Sequence, residues 1–386
     1  MCEIFLKKII QKDLAKQIEA IGFDKSYLHT AQKKYHFNLY KIFNLKAVEA
    51  NILKQIALSV GSDCAVHSYV ITSKIDCSDC ILSGTDAQII VIIQKLKQQP
   101  FGLKKIAELL EKETKREELE LTVNGKTFNF SRNKYIMGIL NITPDSFSDG
   151  GDYSSLPEAL KHVEKMLADG ADIIDLGAES TRPGAKAVEE KEEQERLLPV
   201  LHAIKKEFKD AVISVDTRNA QTADIAIKEG ANIVNDISSF EYDPNMLKTV
   251  VKFDIPYILT DFQMTTSQEN ITDRVYKNLL KKTEILLESG VKNRNIIIDI
   301  GIGFGKTVGE NFELIKNTNE FTSLGYPLLV GHSRKSFLGK TLNVAPKELD
   351  SATAAISLHL FLNGANILRV HNVALTKQML KIANKF

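Results

Sequence analysis

From Tyr135 onward, short apolar runs alternate with longer stretches whose apolar positions recur at helical spacing. The runs at 135–140, 172–176, 212–216, 232–236, 256–259, 295–299, 327–331 and 366–370 predict strands. Between them, helical patterns cover Leu156–Ala168, Lys191–Phe208, Asn219–Glu229, Pro244–Lys252, Arg274–Ser289, Glu310–Phe321 and Asp350–Leu362, and Ala374–Ala383 is a last helix. The strands are continuous apolar runs rather than clean alternations, as expected where both faces of a sheet are covered. Gly170, Gly230, Gly290 and Gly364 stand just before strands, where helix C-caps belong. Strand–helix alternation of this kind predicts a closed parallel (β/α)8 barrel, an α/β fold of about 250 residues.

Upstream of it the pattern changes. Leu119–Val123 and Thr127–Phe130 flank Asn124-Gly125, a pair suited to a type I′ turn, which predicts a β-hairpin able to cap the barrel floor. Residues 1–116 read as a separate, smaller α+β unit, leaving 117–386 for the barrel. In the smaller unit Ile4–Ala20, Leu45–Leu58, Ala87–Lys97 and Leu103–Lys112 carry helical patterns, while Ala65–Thr72 and Cys80–Ser83 read as strands. No catalytic motif is recognisable in it, and its role stays open.

Composition narrows the function classes. The 386 residues carry a net charge of +1 with 26% charged side chains, which gives no general reason to expect nucleic acid or an anionic membrane as partner. No apolar run approaches the ~18–20 residues of a membrane span. The opening residues are broken by Glu3, Lys7 and Lys8 and lack a secretion signal, and the four cysteines, at 2, 64, 77 and 80, lie far from the catalytic motifs; a cytoplasmic protein is expected. Cys77-Ser-Asp-Cys80 lacks a second metal-spaced pair and reads as free thiols on a short loop.

The candidate chemistry collects at the strand ends, where barrels of this type build their sites. Met137-Gly-Ile-Leu-Asn-Ile-Thr-Pro-Asp-Ser-Phe-Ser-Asp-Gly-Gly151 hangs a long polar loop on the first strand. An ordinary strand-to-helix connection is the plain alternative, but such connections usually take about two to six residues. The later strands lead to Asp175 and Glu179-Ser-Thr-Arg-Pro-Gly184, Asp216-Thr217-Arg218, Asn235-Asp236, Thr260-Asp261, Asp299 with Gly301-Ile-Gly-Phe-Gly-Lys306, Gly331-His-Ser-Arg-Lys-Ser336, and Arg369-Val-His371. Any one of these carboxylates alone reads as a structural cap; their shared position points to a site. The mouth would hold anionic Asp216 and Asp299 beside cationic Arg182, Lys335, Arg369 and His371. A ligand with a hydrogen-bond-donating ring and an anionic tail suits both.

Over residues 118–386 these motifs resemble, in wording and order, the dihydropteroate synthases, a family of pterin-binding barrels. The resemblance implies transfer of a pterin from 6-hydroxymethyl-7,8-dihydropterin diphosphate to 4-aminobenzoate, with Mg²⁺ as cofactor and a homodimer as the assembly. It also implies roles. Asp216, Asn235, Asp299 and Lys335 would hold the pterin; Asn141 would bind Mg²⁺ with the diphosphate; Arg182, Arg369 and His371 would contact that anion. Thr181, Pro183, Phe304, Lys335 and Ser336 would form the aminobenzoate side. Asp145 and Phe147, with Asn141, Arg182 and Lys335, would be catalytic, the Phe147 ring excluding water from the reacting centre.

Two departures from the family pattern stand out. Ile300 occupies the place of a proline, and Leu259-Thr-Asp-Phe-Gln-Met264 stands where the family often reads L-M-H-M-Q-G. A methyltetrahydrofolate:corrinoid methyltransferase would share the pterin carboxylates but needs no diphosphate clamp, and Asn141, Ser333-Arg-Lys-Ser336 and Arg369-Val-His371 argue against it. A non-catalytic pterin-binding paralogue would be expected to lose the loop residues, which this chain keeps.

Overall fold

The computed structural model describes residues 4, 6–7, 14–115, 118–142, 156–178, 189–262 and 269–385. The chain forms two compact units, Met1–Arg116 and Glu117–Phe386.

In the first unit, strands β1 (Phe37–Lys46), β2 (Cys64–Val66) and β3 (Cys77–Thr85) form an antiparallel sheet in the order β1-β3-β2. Helices Ala47–Leu58, Asp86–Lys97 and Leu103–Thr114 supply Leu53, Ile89, Ile92, Leu96 and Leu103 to a core shared with Cys64, Cys80 and Leu82 of the sheet. Several sequence expectations change here. The helix expected over Ile4–Ala20 is described only from Leu14 to Ala20. The strand expected over Ala65–Thr72 ends at Val66, because His67–Ser73 folds into turns: the Val70 amide donates to the His67 carbonyl at 3.0 Å and the Ser73 amide to that of Val70 at 3.1 Å. Cys77 and Cys80 open β3 rather than a loop, and both are free thiols.

In the second unit, the hairpin strands β4 (Glu120–Val123) and β5 (Lys126–Asn129) turn at Asn124, whose φ is +49°. Eight parallel strands follow: β6 (Tyr135–Asn141), β7 (Ile173–Gly177), β8 (Ile213–Asp216), β9 (Ile233–Asp236), β10 (Tyr257–Thr260), β11 (Ile296–Asp299), β12 (Leu328–Val330) and β13 (Ile367–Val370). They close into a barrel, β13 pairing with β6. Most helices described between them lay an apolar face on it, such as Ala159, Val163 and Met166 of Leu156–Asp169 and Leu197, Leu201 and Ile204 of Glu190–Glu207, whereas Asp350–Leu362 buries Thr353 and Ser357 beside Leu360. The four glycines expected as caps have φ of 99°, 103°, 100° and 100°. Two helical details differ from expectation: the helix expected over Glu310–Phe321 is α-helical over Val308–Lys316 and then 3-10 over Thr318–Leu324, and a short helix, Ser336–Leu342, follows β12.

Strand parity divides the core in two. Side chains in a strand alternate between its faces. One set, including Ile136, Leu140, Ile174, Leu176, Val215, Val234, Leu259 and Ile298, packs outward under the helices. The other set puts Met137, Ile173, Val212, Ile233, Ile258, Ile297, Leu329 and Ile367 inside the barrel, where they pack with Leu121, Phe128 and Phe130 of the hairpin segment. The hairpin is therefore the plug of the barrel floor. Asn366 Nδ2 donates to the Phe130 carbonyl at 2.9 Å and the Asn129 amide to Tyr135 Oη at 2.8 Å, which ties the plug to β13 and β6. No helix among the described residues is long and apolar enough to cross a membrane.

Candidate active site

Two steps along each strand from that apolar layer, the inward positions become polar. They are Asp175, Ser214, Asn235, Thr260, Asp299 and Arg369, with Ile139 and Gly331 completing the ring. One more step brings Asn141, Gly177, Asp216 and His371. The register levels part of the second group and sets it beside the first: Asn141 pairs with Gly177, Gly177 with Asp216, and Asp216 with Asn235 of the first. The apolar floor and polar mouth thus follow from the same alternation.

Arg369 is the centre of the charge arrangement. Its Nε donates to Asp175 Oδ2 at 2.6 Å and its Nη2 to Asp216 Oδ2 at 2.7 Å. Asn235 Nδ2 donates to Asp175 Oδ1 and Oδ2 at 3.4 and 3.2 Å. Across the mouth, Asp299 Oδ1 accepts the Gly301 amide at 2.8 Å, while its Oδ2 lies beside Gly331, where a Cβ would sit 3.6 Å away. Burial pushes the Asp216 carboxyl up to about 7, outweighing the pull of Arg369. Burial likewise raises Asp299, against the Gly301 amide and the Lys335 charge. Burial, with the positive charge of Arg369 added, lowers the Lys335 ammonium to about 8. Its Nζ lies 3.9 Å from the centroid of the Phe304 ring, a cation–π geometry. His371 takes its place at the rim with Nδ1 2.9 Å from Ser333 Oγ, and the His371 amide donates to the same oxygen at 3.2 Å.

Of the residues expected at the site, Asn141, Asp216, Asn235, Asp299, Phe304, Lys335, Arg369 and His371 are brought to this mouth, and Ser336 is exposed on the first turn of the short helix after Lys335. Asp145, Phe147, Thr181, Arg182 and Pro183 lie outside the described residues. Three polar strand-end residues face away. Asp236 accepts the amides of Ser238 and Phe240, each at 2.8 Å, and Tyr257 Oη at 2.7 Å, fixing the turn after β9. Asp261 is fully buried among Lys306, Arg274 and Asn278. His332 is buried against Ser357 Oγ at 2.7 Å, and burial lowers it to about 4, so it stays neutral. Asp175 was given no role from the sequence, yet it anchors both Arg369 and Asn235. The signal that finds it is parity: it shares the inward phase of Ile173 and Gly177.

Residues 137–371 match the pterin-binding enzyme family. The dihydropteroate synthase of Haemophilus influenzae is 44% identical over 271 residues, covering 68% of this chain and 98% of that protein. The chain belongs to the dihydropteroate synthases. Two solved structures of the Xanthomonas albilineans dihydropteroate synthase carry the likeness into three dimensions. One, with 4-aminobenzoic acid, has a TM-score of 0.65 at 32% identity and covers 70% of this chain and 98% of that one. The other, in complex with 7,8-dihydropteroate, has a TM-score of 0.63 at 29% identity, with 69% and 98% covered. The family match lies wholly within the second unit.

Proposed function

We infer that this chain condenses 6-hydroxymethyl-7,8-dihydropterin diphosphate with 4-aminobenzoate, releasing diphosphate and 7,8-dihydropteroate. The observation that carries the reading is the ring of Asp216, Asn235, Asp299, Lys335 and Arg369 over one apolar barrel floor. A pterin presents adjacent N–H donors on its amidine edge and a carbonyl beyond them. Asp299 Oδ2, beside bare Gly331, is placed to accept from that edge, with Asp216 and Asn235 completing it. Lys335 donates to the ring, and its cation over Phe304 marks the arylamine side. Thr181, Pro183 and Ser336 belong to that side in the same reading. Arg369 has two of its five N–H groups engaged by Asp175 and Asp216. It thus buttresses the pterin carboxylates as well as facing the diphosphate with Arg182 and His371.

In the reaction the arylamine nitrogen attacks the pterin methylene as its C–O bond breaks. The diphosphate leaves with the bonding pair, and the new C–N nitrogen then sheds its proton. An arylamine is nucleophilic while neutral and its protonated product is acidic, so the site needs no strong general base. What it supplies is orientation and stabilisation of the leaving anion. Phe147 would cover the reacting methylene and keep water from capturing it, and Asp145 shares that loop. Asn141 suits Mg²⁺: a Cβ on Gly177 would meet Asp216 Cβ at 3.3 Å and both Asn141 Oδ1 and Asp216 Oδ2 at 3.7 Å, so the bare glycine leaves room beside two side-chain oxygens. Among the described residues no group of three or more His, Cys, Asp or Glu could hold a metal. One amide oxygen fits an ion that takes most of its ligands from phosphate and water. Mg²⁺ would supply charge neutralisation at the diphosphate. The same reading carries small-molecule substrates, a cytoplasmic location and a homodimer. Asp299→Asn replaces an acceptor with a donor against the pterin edge. Calorimetry with a pterin should show a loss of about 1–3 kcal/mol; unchanged affinity would remove Asp299 from the pterin site.

A further inference from the structure

Asp261 faces away from the mouth, yet its partners reach the residues that line it. Its carboxylate accepts Asn278 Nδ2 at 2.6 Å and Arg274 Nη2 at 3.1 Å, both from the helix Ile271–Glu288. Lys306 Nζ lies 2.9 Å from Asp261 Oδ2, and the side chains of both are wholly buried. The same ammonium reaches three backbone carbonyls: Asp261 at 3.1 Å, Gly301 at 2.9 Å and Phe304 at 3.2 Å. One lysine therefore ties both ends of the turn after β11 to the end of β10. The approach is tight. Gly301 has φ +67°, and a Cβ there would fall 1.8 Å from the Asp261 carbonyl oxygen.

The other side of this turn carries the site. A Cβ on Gly303 would lie 2.8 Å from Lys335 Cδ, so the lysine stem runs across that bare backbone, and its ammonium lies 3.9 Å from the Phe304 ring centroid. The Phe304 ring in turn packs on Phe262, centroids 5.4 Å apart. A shift of the turn would carry the Phe304 ring with it, whereas Lys335 stands at the start of the helix Ser336–Leu342 and only rests its stem on Gly303. The charges explain why an acid stands at 261. A fully buried ammonium needs a counter-charge as well as carbonyl partners, and a neutral imidazole at that position would not provide one.

We propose that Asp261 and Lys306 are positioning residues for the arylamine half of the reaction, acting through the turn 301–304 on the Phe304 ring. The inference rests on the functional reading above. Two members of the pterin edge, Asp216 and Asn235, are anchored separately through Arg369 and Asp175, and the third, Asp299, is fixed by strand β11 and meets the turn only at the Gly301 amide, so the two halves should respond unequally.

Lys306→Met in the full chain tests this, because it leaves Asp261 paired with Arg274 and Asn278. The expected result is a rise of roughly tenfold or more in KM for 4-aminobenzoate. Affinity for a free pterin by calorimetry should stay within about twofold, with cooperative thermal unfolding retained. In a Phe304→Ala background the same substitution should change that KM by less than about twofold, because the route runs through the ring. An unaltered KM in an active Lys306→Met enzyme overturns this inference alone. Equal losses for both substrates, or loss of cooperative unfolding, also overturn it, by making the cluster a general folding element. A wild-type chain without 4-aminobenzoate-dependent turnover overturns the functional reading and this inference with it.

Discussion

Two titrations at the mouth set an expected pH dependence. As acceptor for the pterin, Asp216 must be ionised, and burial puts that step at about 7. Lys335 must be protonated, and burial and Arg369 put its loss at about 8. The profile of kcat/KM, which reports the free enzyme, should rise through the first value and fall through the second. Lys335→Arg should remove the alkaline limb even if the maximum rate falls; a limb left in place would assign it to another group. Stability follows the opposite sign at Asp216. Between the unfolded value of about 4 and the folded value of about 7 the native state holds a proton that the unfolded chain has released. Stability from this group is therefore lost as pH rises through that window, and Asp216→Asn should flatten the dependence. Those candidate residues that gather at the mouth were legible in the sequence, because polar groups ending apolar strands stand out. What the linear reading did not do was separate the phases. Asn235 and Asp236 are neighbours in sequence, but one lines the mouth and the other fixes a turn.

At the scale of elements, all eight barrel strands were legible because each is a continuous apolar run between helical patterns. The smaller unit was harder to read. Phe37–Lys46 is a strand that carries apolar residues on both faces, Tyr40 and Ile42 inward and Phe37 and Leu39 outward, interrupted by Asn38, Lys41 and Asn44. Neither period is visible in such a sequence. Conversely Tyr69-Val-Ile71 looks like a strand but leaves Tyr69 and Ile71 exposed around one buried Val70. The hairpin was legible from Asn124-Gly125, and its role as a plug has an energetic consequence. Phe128 and Phe130 are buried at 3% and 2% exposure against the inward layer of the barrel. Replacing either with alanine should cost about 3–5 kcal/mol of stability, read as a shift in the urea midpoint. A loss under about 1 kcal/mol would mean that the floor closes without the plug.

At the scale of the whole molecule, the division into Met1–Arg116 and Glu117–Phe386 places every site residue in one unit. The barrel has its own core and its own floor. A chain beginning at Glu117 should therefore unfold in a single cooperative transition, followed by circular dichroism, and keep pterin affinity; a broad, non-cooperative melt would make the first unit part of the barrel's folding. The central claim is the reaction. Its most direct measurement is diphosphate release by the purified full chain, with 6-hydroxymethyl-7,8-dihydropterin diphosphate and Mg²⁺ supplied and 4-aminobenzoate varied. The account predicts release that saturates with 4-aminobenzoate and matches the 7,8-dihydropteroate formed. Release that is absent, or that proceeds equally without 4-aminobenzoate, would contradict it.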